Sequence, residues 1–450
     1  MSWVRQAVGP AYLFACIVMG GSAQGIFTNL ALQLIGIAIL AWAFLTRTPL
    51  KDSRPARQLG WLAAAAVALV LIQLIPLPPA IWTLLPGRDV VVEGFRLLGQ
   101  PLPWLSLSLA PAETIATAMA MLPPLAMLAL ILRLGAYRDS WLLIALLCAT
   151  FISVALGVMQ IQSGGTGPYL YRQANLGTAS GLFANANHMA TLLLVSIPFL
   201  VALGTRRWRQ QSGTNDRLLT ATLAGGAAVI VLLGIGINQS FALLIIGAPV
   251  VGAAALQLIP PGRVRLGRLA AMLGLLFVAG TAVLAVMVSA GMSASNQTSM
   301  TIRADIWAHT SEAIRDSGLA GSGIGTFTAI YPRYEDPATI ERTYVNHAHN
   351  DYLELALEGG IPAIALMILF AIWWGARAFT IWRSANAAEL GRAACIASAA
   401  ILLHSLVDYP LRTAAIATIF AMALALMADP ARRRHQVRLA ELRPTRHLTL

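Results

Sequence analysis

Residues 345–360 read "VNHAHNDYLELALEGG", a polar stretch that runs straight into an apolar one. It holds Asn346, His347, His349, Asn350, Asp351, Glu354 and Glu358 within a sequence that is otherwise mostly apolar. Imidazole is the side chain best suited to take a proton at neutral pH, so general-base catalysis is one chemistry open to this stretch. Metal binding is a second. On an extended segment His347 and His349 face the same way, with Asp351 as a further ligand. An H-x-H pair without a well-spaced third ligand argues against that, and the expectation is no metal and no cofactor. The third reading is structural. Asn350 or His349 stands where a helix over 351–358 would begin, and Asp351 and Glu354 fall in its first turn, where the helix dipole favours acids. Capping and catalysis are compatible here.

Other stretches offer anion ligands and caps. Arg303, in "RADIW", is a candidate phosphate ligand, because guanidinium presents a fixed fork of donors. Arg172 in "YLYRQANLGT" and Arg412 in "HSLVDYPLR" are candidates of the same kind, each with a solvated or paired charge as the plainer alternative. Within 404–412, Asp408 is the expected partner of Arg412. "GLFANANHMATLL", residues 181–193, puts Asn185, Asn187 and His188 at the start of an apolar run, where helix capping is the default reading. "GSGIGTF", residues 321–327, matches neither a Walker loop nor a dinucleotide fingerprint. It reads as a tight turn that lets backbone approach closely.

The elements that must position these residues are membrane helices. The chain has 450 residues, of which 58% are hydrophobic and 11% charged. That composition predicts an all-α polytopic membrane protein. Spanning stretches lie near 10–27, 29–46, 59–76, 112–133, 139–160, 188–205, 217–235, 239–258, 267–289, 360–381, 393–408 and 411–428, which is about twelve, with a large loop before the tenth. Of the 31 basic residues, 23 fall in one set of alternate connecting segments and 8 in the other. This asymmetry predicts an even span count with both termini in the cytoplasm, and it accounts for the net charge of +12 without nucleic acid as a partner.

The predicted organisation is therefore nine helices over 1–289, with periplasmic loops near 77–111 and 161–187, then a large periplasmic loop over 290–359. Three helices follow over 360–428, and a basic cytoplasmic tail over 429–450. The Pro- and Trp-rich 77–111 loop suits the membrane interface. Cys16, Cys148 and Cys395 fall in apolar runs and read as packing residues. A retained first helix is expected rather than a cleaved signal. The spans carry no Asp, Glu, Lys or Arg away from their edges, which argues against an ion-coupled carrier and places the chemistry at the outer surface.

Four stretches resemble the O-antigen ligase and polymerase family of bacterial inner-membrane glycosyltransferases. "HNDYLELALEGGIPA" is similar to its most specific signature, a His-Asn pair, nine intervening residues and a Gly, here His349-Asn350 and Gly360. "RADIW" with "GSGIGTF" resembles the start of the same periplasmic loop. "GLFANANHMA" resembles the family's Asn-rich entry to a mid-chain helix, and the span pattern fits. The resemblance implies transfer of a glycan from undecaprenyl diphosphate to a glycan or lipid acceptor, with membrane lipids as the other partners and no metal. It implies His349 as the base and Arg303 as a ligand of the diphosphate, supported by Arg172 or Arg412. His347, Asn350, Asp351, Asn187, His188 and Asp408 would be supporting residues.

Two positions depart from the family pattern. Ser240 is followed by Phe241 where members often have Arg, and the later Gly of the signature is Ala363. The competing expectations are a lipid-linked glycan transporter and a metal-dependent hydrolase using His347 and His349.

Overall fold

The structure is a computed structural model describing residues 3–23, 25–46, 53–172, 176–238, 240–259, 294–337, 344–384 and 389–428. In lipid every backbone polar group must be satisfied within its own segment, so the long apolar runs become helices. The chain runs α1 (Trp3–Met19), α2 (Ile26–Leu45), α3 (Arg54–Ile72), α4 (Asp89–Leu97), α5 (Pro111–Ala120), α6 (Leu122–Ala129), α7 (Asp139–Gln162), α8 (Ala186–Gln210), α9 (Thr214–Asn238), α10 (Phe241–Ala255), α11 (Ala294–Ser317), α12 (Asp351–Arg383), α13 (Glu389–His404) and α14 (Ala414–Ala428). Among the described residues seven helices are long and apolar enough to cross a membrane, the continuous stretch Pro111–Leu134 counting as one. The described strands, Pro76–Leu77 and Leu105–Ser106, pair antiparallel and close the base of the 77–111 loop.

One expectation shifts. The first expected span, 10–27, corresponds to a shorter apolar helix that begins earlier, at Trp3, and ends at Met19, because Gly20 and Gly21 are needed as contact points. An added Cβ at Gly21 would meet the Leu182 carbonyl oxygen at 2.0 Å, and the Gly20 and Gly21 carbonyls accept from Ala415 and Ala184. The expected span at 267–289 and the tail at 429–450 lie outside the described residues.

α14 is the central helix. Nearly all its residues are buried, and α1, α6 and α13 pack round it. Its alanines keep the surface shallow, so neighbouring backbones come close. Outside this bundle α11 packs on α12 round a small core of Ile306, Ala313, Phe327, Ile330, Tyr331, Ala348 and Leu357.

α12 is broken at Gly360, whose φ of 56° and ψ of −149° are essentially reserved to glycine. The break strands carbonyls, and the glycine-rich loop takes them up. Ser322 N–H donates to the Leu357 carbonyl at 3.0 Å and Gly323 N–H to that of Glu358 at 2.8 Å, while Ile361 N–H finds the Leu319 carbonyl at 2.9 Å. Pro362 has no N–H to offer the Glu358 carbonyl, and Gln73 Nε2, at the end of α3, donates there at 3.1 Å. Gln73 Oε1 accepts from Ile324 N–H at 2.8 Å, which ties the loop, α3 and α12 into one joint. Gly321, Gly323 and Gly325 all have positive φ in this loop, as the sequence reading of a tight turn requires.

Candidate active site

The N-terminal end of α12 docks on the turn between α13 and α14. Asn350 caps the helix, its side chain accepting from Tyr352 and Leu353 N–H. Its own amide donates to the Leu406 carbonyl, and Asp351 N–H to that of Ser405. Asp351, Glu354 and Glu358 sit at i, i+3 and i+7, so one helix face presents three carboxylates. All are buried, and all face Arg412: its Nη2 lies 3.1 Å from Glu358 and 3.2 Å from Glu354, and its Nε 3.6 Å from Asp351. Burial works against the Arg412 charge, but the three acids outweigh it and hold the guanidinium above its ordinary range.

His349 stands one residue before this cap. Its φ is 49°, the only positive φ at a non-glycine among the described residues. A left-handed histidine is an uncommon, mildly strained conformation that a precise placement can require. Its Nδ1 lies 3.3 Å from Asp408 Oδ1, an ion-pair contact looser than a well-aligned hydrogen bond. Asp408 is fully buried, which alone would raise its pKa, yet His349, His188 and His404 together hold the carboxyl well below the usual range. With Nδ1 turned to Asp408, Nε2 is the nitrogen left to meet a substrate.

Tyr409 ties the surrounding segments together. Its hydroxyl accepts from Asn346 Nδ2 at 3.2 Å and Asn185 Nδ2 at 3.4 Å. Its ring meets those of His347, His349 and His188 with centroids 4.2, 4.9 and 5.1 Å apart. Burial pushes its phenol up to about 12, so it stays neutral.

The remaining predicted residues divide. His347 Nδ1 lies 2.8 Å from Glu354 Oε1, and Glu354 Oε2 accepts from Ala348 N–H at 2.9 Å, so the two histidines turn to separate carboxylates. Among the described residues no group of three His, Cys, Asp or Glu is arranged to hold a metal. Asn185 caps α8 as expected, accepting from Asn187 N–H. Asn187 Oδ1 accepts from Ser240 at 2.9 Å, so the serine beside Phe241 holds the α8 entry in place. His188 is buried against Phe183 and Tyr409. Arg303 is half-buried on α11 near His404 and has no carboxylate partner among the described residues. Arg172 is exposed on the loop after Tyr171, and no contact joins it to His349. The expected Asp408–Arg412 pair is replaced: Arg412 faces the α12 acids and Asp408 faces His349, because the 3₁₀ turn Pro410–Arg412 sends the two side chains apart.

Residues 174–368 match the model of the O-antigen ligase family. The chain carries a domain of that family. The matched segment contains His188, Arg303, the glycine loop, the His349-Asn350 pair and the Gly360 break. Asp408, Tyr409 and Arg412 lie beyond it and join the O-antigen ligase domain only through folding. No curated protein matches the chain. The sequence reading missed Tyr409 and Gln73. For Tyr409 the available signal was its place beside Asp408 in a turn already singled out. Gln73, at the end of an apolar run, gave none.

Proposed function

We propose that the protein is a glycosyltransferase of the O-antigen ligase kind, moving a glycan from undecaprenyl diphosphate to an acceptor hydroxyl at the periplasmic face of the bacterial inner membrane. The observation that carries this reading is the His349–Asp408 pair, built on the signature stretch of the matched domain. In the proposed reaction His349 Nε2 takes the proton of the acceptor hydroxyl. The hydroxyl oxygen forms the new glycosidic bond as the bond from the anomeric carbon to the diphosphate oxygen breaks, and the bonding pair leaves with the diphosphate. Asp408 stabilises the imidazolium that forms. Arg303, a cation near His404 with no carboxylate partner among the described residues, stabilises the departing diphosphate, a role that needs no metal. Arg412, committed to three carboxylates, has a structural role in this scheme, and Arg172 remains a candidate contact for the donor at the loop.

The topology proposed with it has twelve spans, both termini in the cytoplasm and the site outside, supported by the distribution of basic residues. A repeat-unit polymerase of the same family is the second reading, since it uses the same donor and the same base. The length of carrier-linked glycan in the native host, with wild type replaced by His349→Ala, separates the two. Long glycans stranded on the carrier support a ligase and accumulating single repeat units a polymerase. An unchanged glycan profile contradicts both.

A further inference from the structure

Asp408 has a second oxygen that the proposed reaction leaves unused. Oδ1 serves His349 and the backbone N–H of Tyr409, whereas Oδ2 is buried and has no protein partner. Two more imidazoles belong to its surroundings: His188, from the first turn of α8, whose ring lies 5.1 Å from that of the adjacent Tyr409, and His404, the last residue of α13, whose carbonyl accepts from Asp408 N–H at 3.0 Å. His188 is 2% exposed, and neither of its ring nitrogens has a protein partner. His404 is 0% exposed. Its Nδ1 lies 2.7 Å from Thr191 Oγ1, one turn along from His188, and its Nε2 has no protein partner. Four buried polar atoms on three side chains, Asp408 itself among them, are thus left without partners among the described residues. Packing alone does not explain them, since buried polar atoms in folded proteins are paired with protein or ordered water. The described side chains form no metal-holding group. Water, which both donates and accepts, suits a set made of one carboxylate oxygen and imidazole nitrogens of either role.

We propose that His188 and His404 are positioning residues that hold Asp408 Oδ2 through ordered water, so that Oδ1 stays on His349 and Nε2 of His349 stays turned to the acceptor. The inference rests on the reading of His349 as the base. It assigns the "NANHMA" stretch a task other than starting a helix: Asn185 does the capping, and His188, packed against Tyr409 beside Asp408, serves the carboxylate through water.

The test replaces the chromosomal copy in the native host with His188→Phe, His188→Asn or His349→Ala. The readout is the ratio of surface polysaccharide to carrier-linked glycan, normalised to the amount of protein in the membrane. Phe preserves the ring packing and removes the polar atoms; Asn does the reverse. The expected result is a fall of about tenfold or more for His188→Phe, the scale of a slightly misplaced catalytic group, with Asn recovering most of it. Transfer by His188→Phe at the wild-type level overturns the proposal. Should that variant not reach the membrane, His404→Phe against His404→Asn decides on the same terms. Loss of transfer in His349→Ala with normal transfer in His188→Phe removes this inference alone, whereas normal transfer in His349→Ala removes the reading beneath it.

Discussion

Nδ1 of His349 lies 3.3 Å from Oδ1 of Asp408, although the two residues come from segments far apart in the chain and only the first lies within the matched domain. The contact fixes which imidazole nitrogen faces the substrate. Asp408→Asn removes the charge and offers an N–H where Nδ1–H needs an acceptor, favouring the wrong tautomer. We expect transfer to fall about 100-fold, the lower range for a general base, with the protein still present in the membrane. The check is surface polysaccharide per unit of membrane protein, and a value within about twofold of wild type contradicts the assignment.

Arg412 tests whether a cation at the site serves the fold or the donor. Removing one member of a buried ion cluster leaves the others uncompensated, typically at about 3–5 kcal/mol. Arg412→Ala should therefore fail to accumulate in the membrane, and adding Glu358→Gln should restore part of the level by removing one stranded charge. Immunoblotting of membrane fractions reads this directly. Normal accumulation with lost transfer would return Arg412 to the role of a diphosphate ligand.

The break in α12 makes a paired prediction. At Gly360 an added Cβ would meet the Leu319 carbonyl oxygen at 2.3 Å and Gly321 N at 2.6 Å, on a backbone that only glycine adopts readily. Gly360→Ala should cost at least about 1–3 kcal/mol and open the joint between the glycine loop and α12. At Gly375, on the same helix, an added Cβ meets nothing within 4 Å, and Gly375→Ala should be neutral or stabilising. Thermal unfolding in detergent separates the two, and equal losses at both sites would mean that the break is not specified by Gly360.

Much of this was legible in the sequence because the signals are local. Apolar runs give helices, Asn350 and Asn185 stand where caps are needed, and closely spaced glycines give a loop with positive φ. The stripe Asp351, Glu354, Glu358 was also on view, and three acids on one helix face call for a cation. What the sequence could not supply was partnership between distant segments. Arg412 and Asp408 sit four apart, so pairing them is the local solution. A 3₁₀ turn at Pro410–Arg412 instead sends one side chain to the α12 acids and leaves the other with His349. Tyr409 was passed over for a related reason, since its importance lies in the segments that converge on it. The early end of α1 at Met19 follows from contacts with Leu182 and Ala415, far along the chain, which no window of hydropathy contains.

The most direct test of the central claim is release of undecaprenyl diphosphate by the purified full-length protein in liposomes, supplied with carrier-linked glycan and an acceptor fraction from the native host. The account predicts acceptor-dependent release by wild type, persisting in chelator, and a loss of about 100-fold or more in His349→Ala protein of wild-type thermal stability. Release by His349→Ala at the wild-type rate would contradict it.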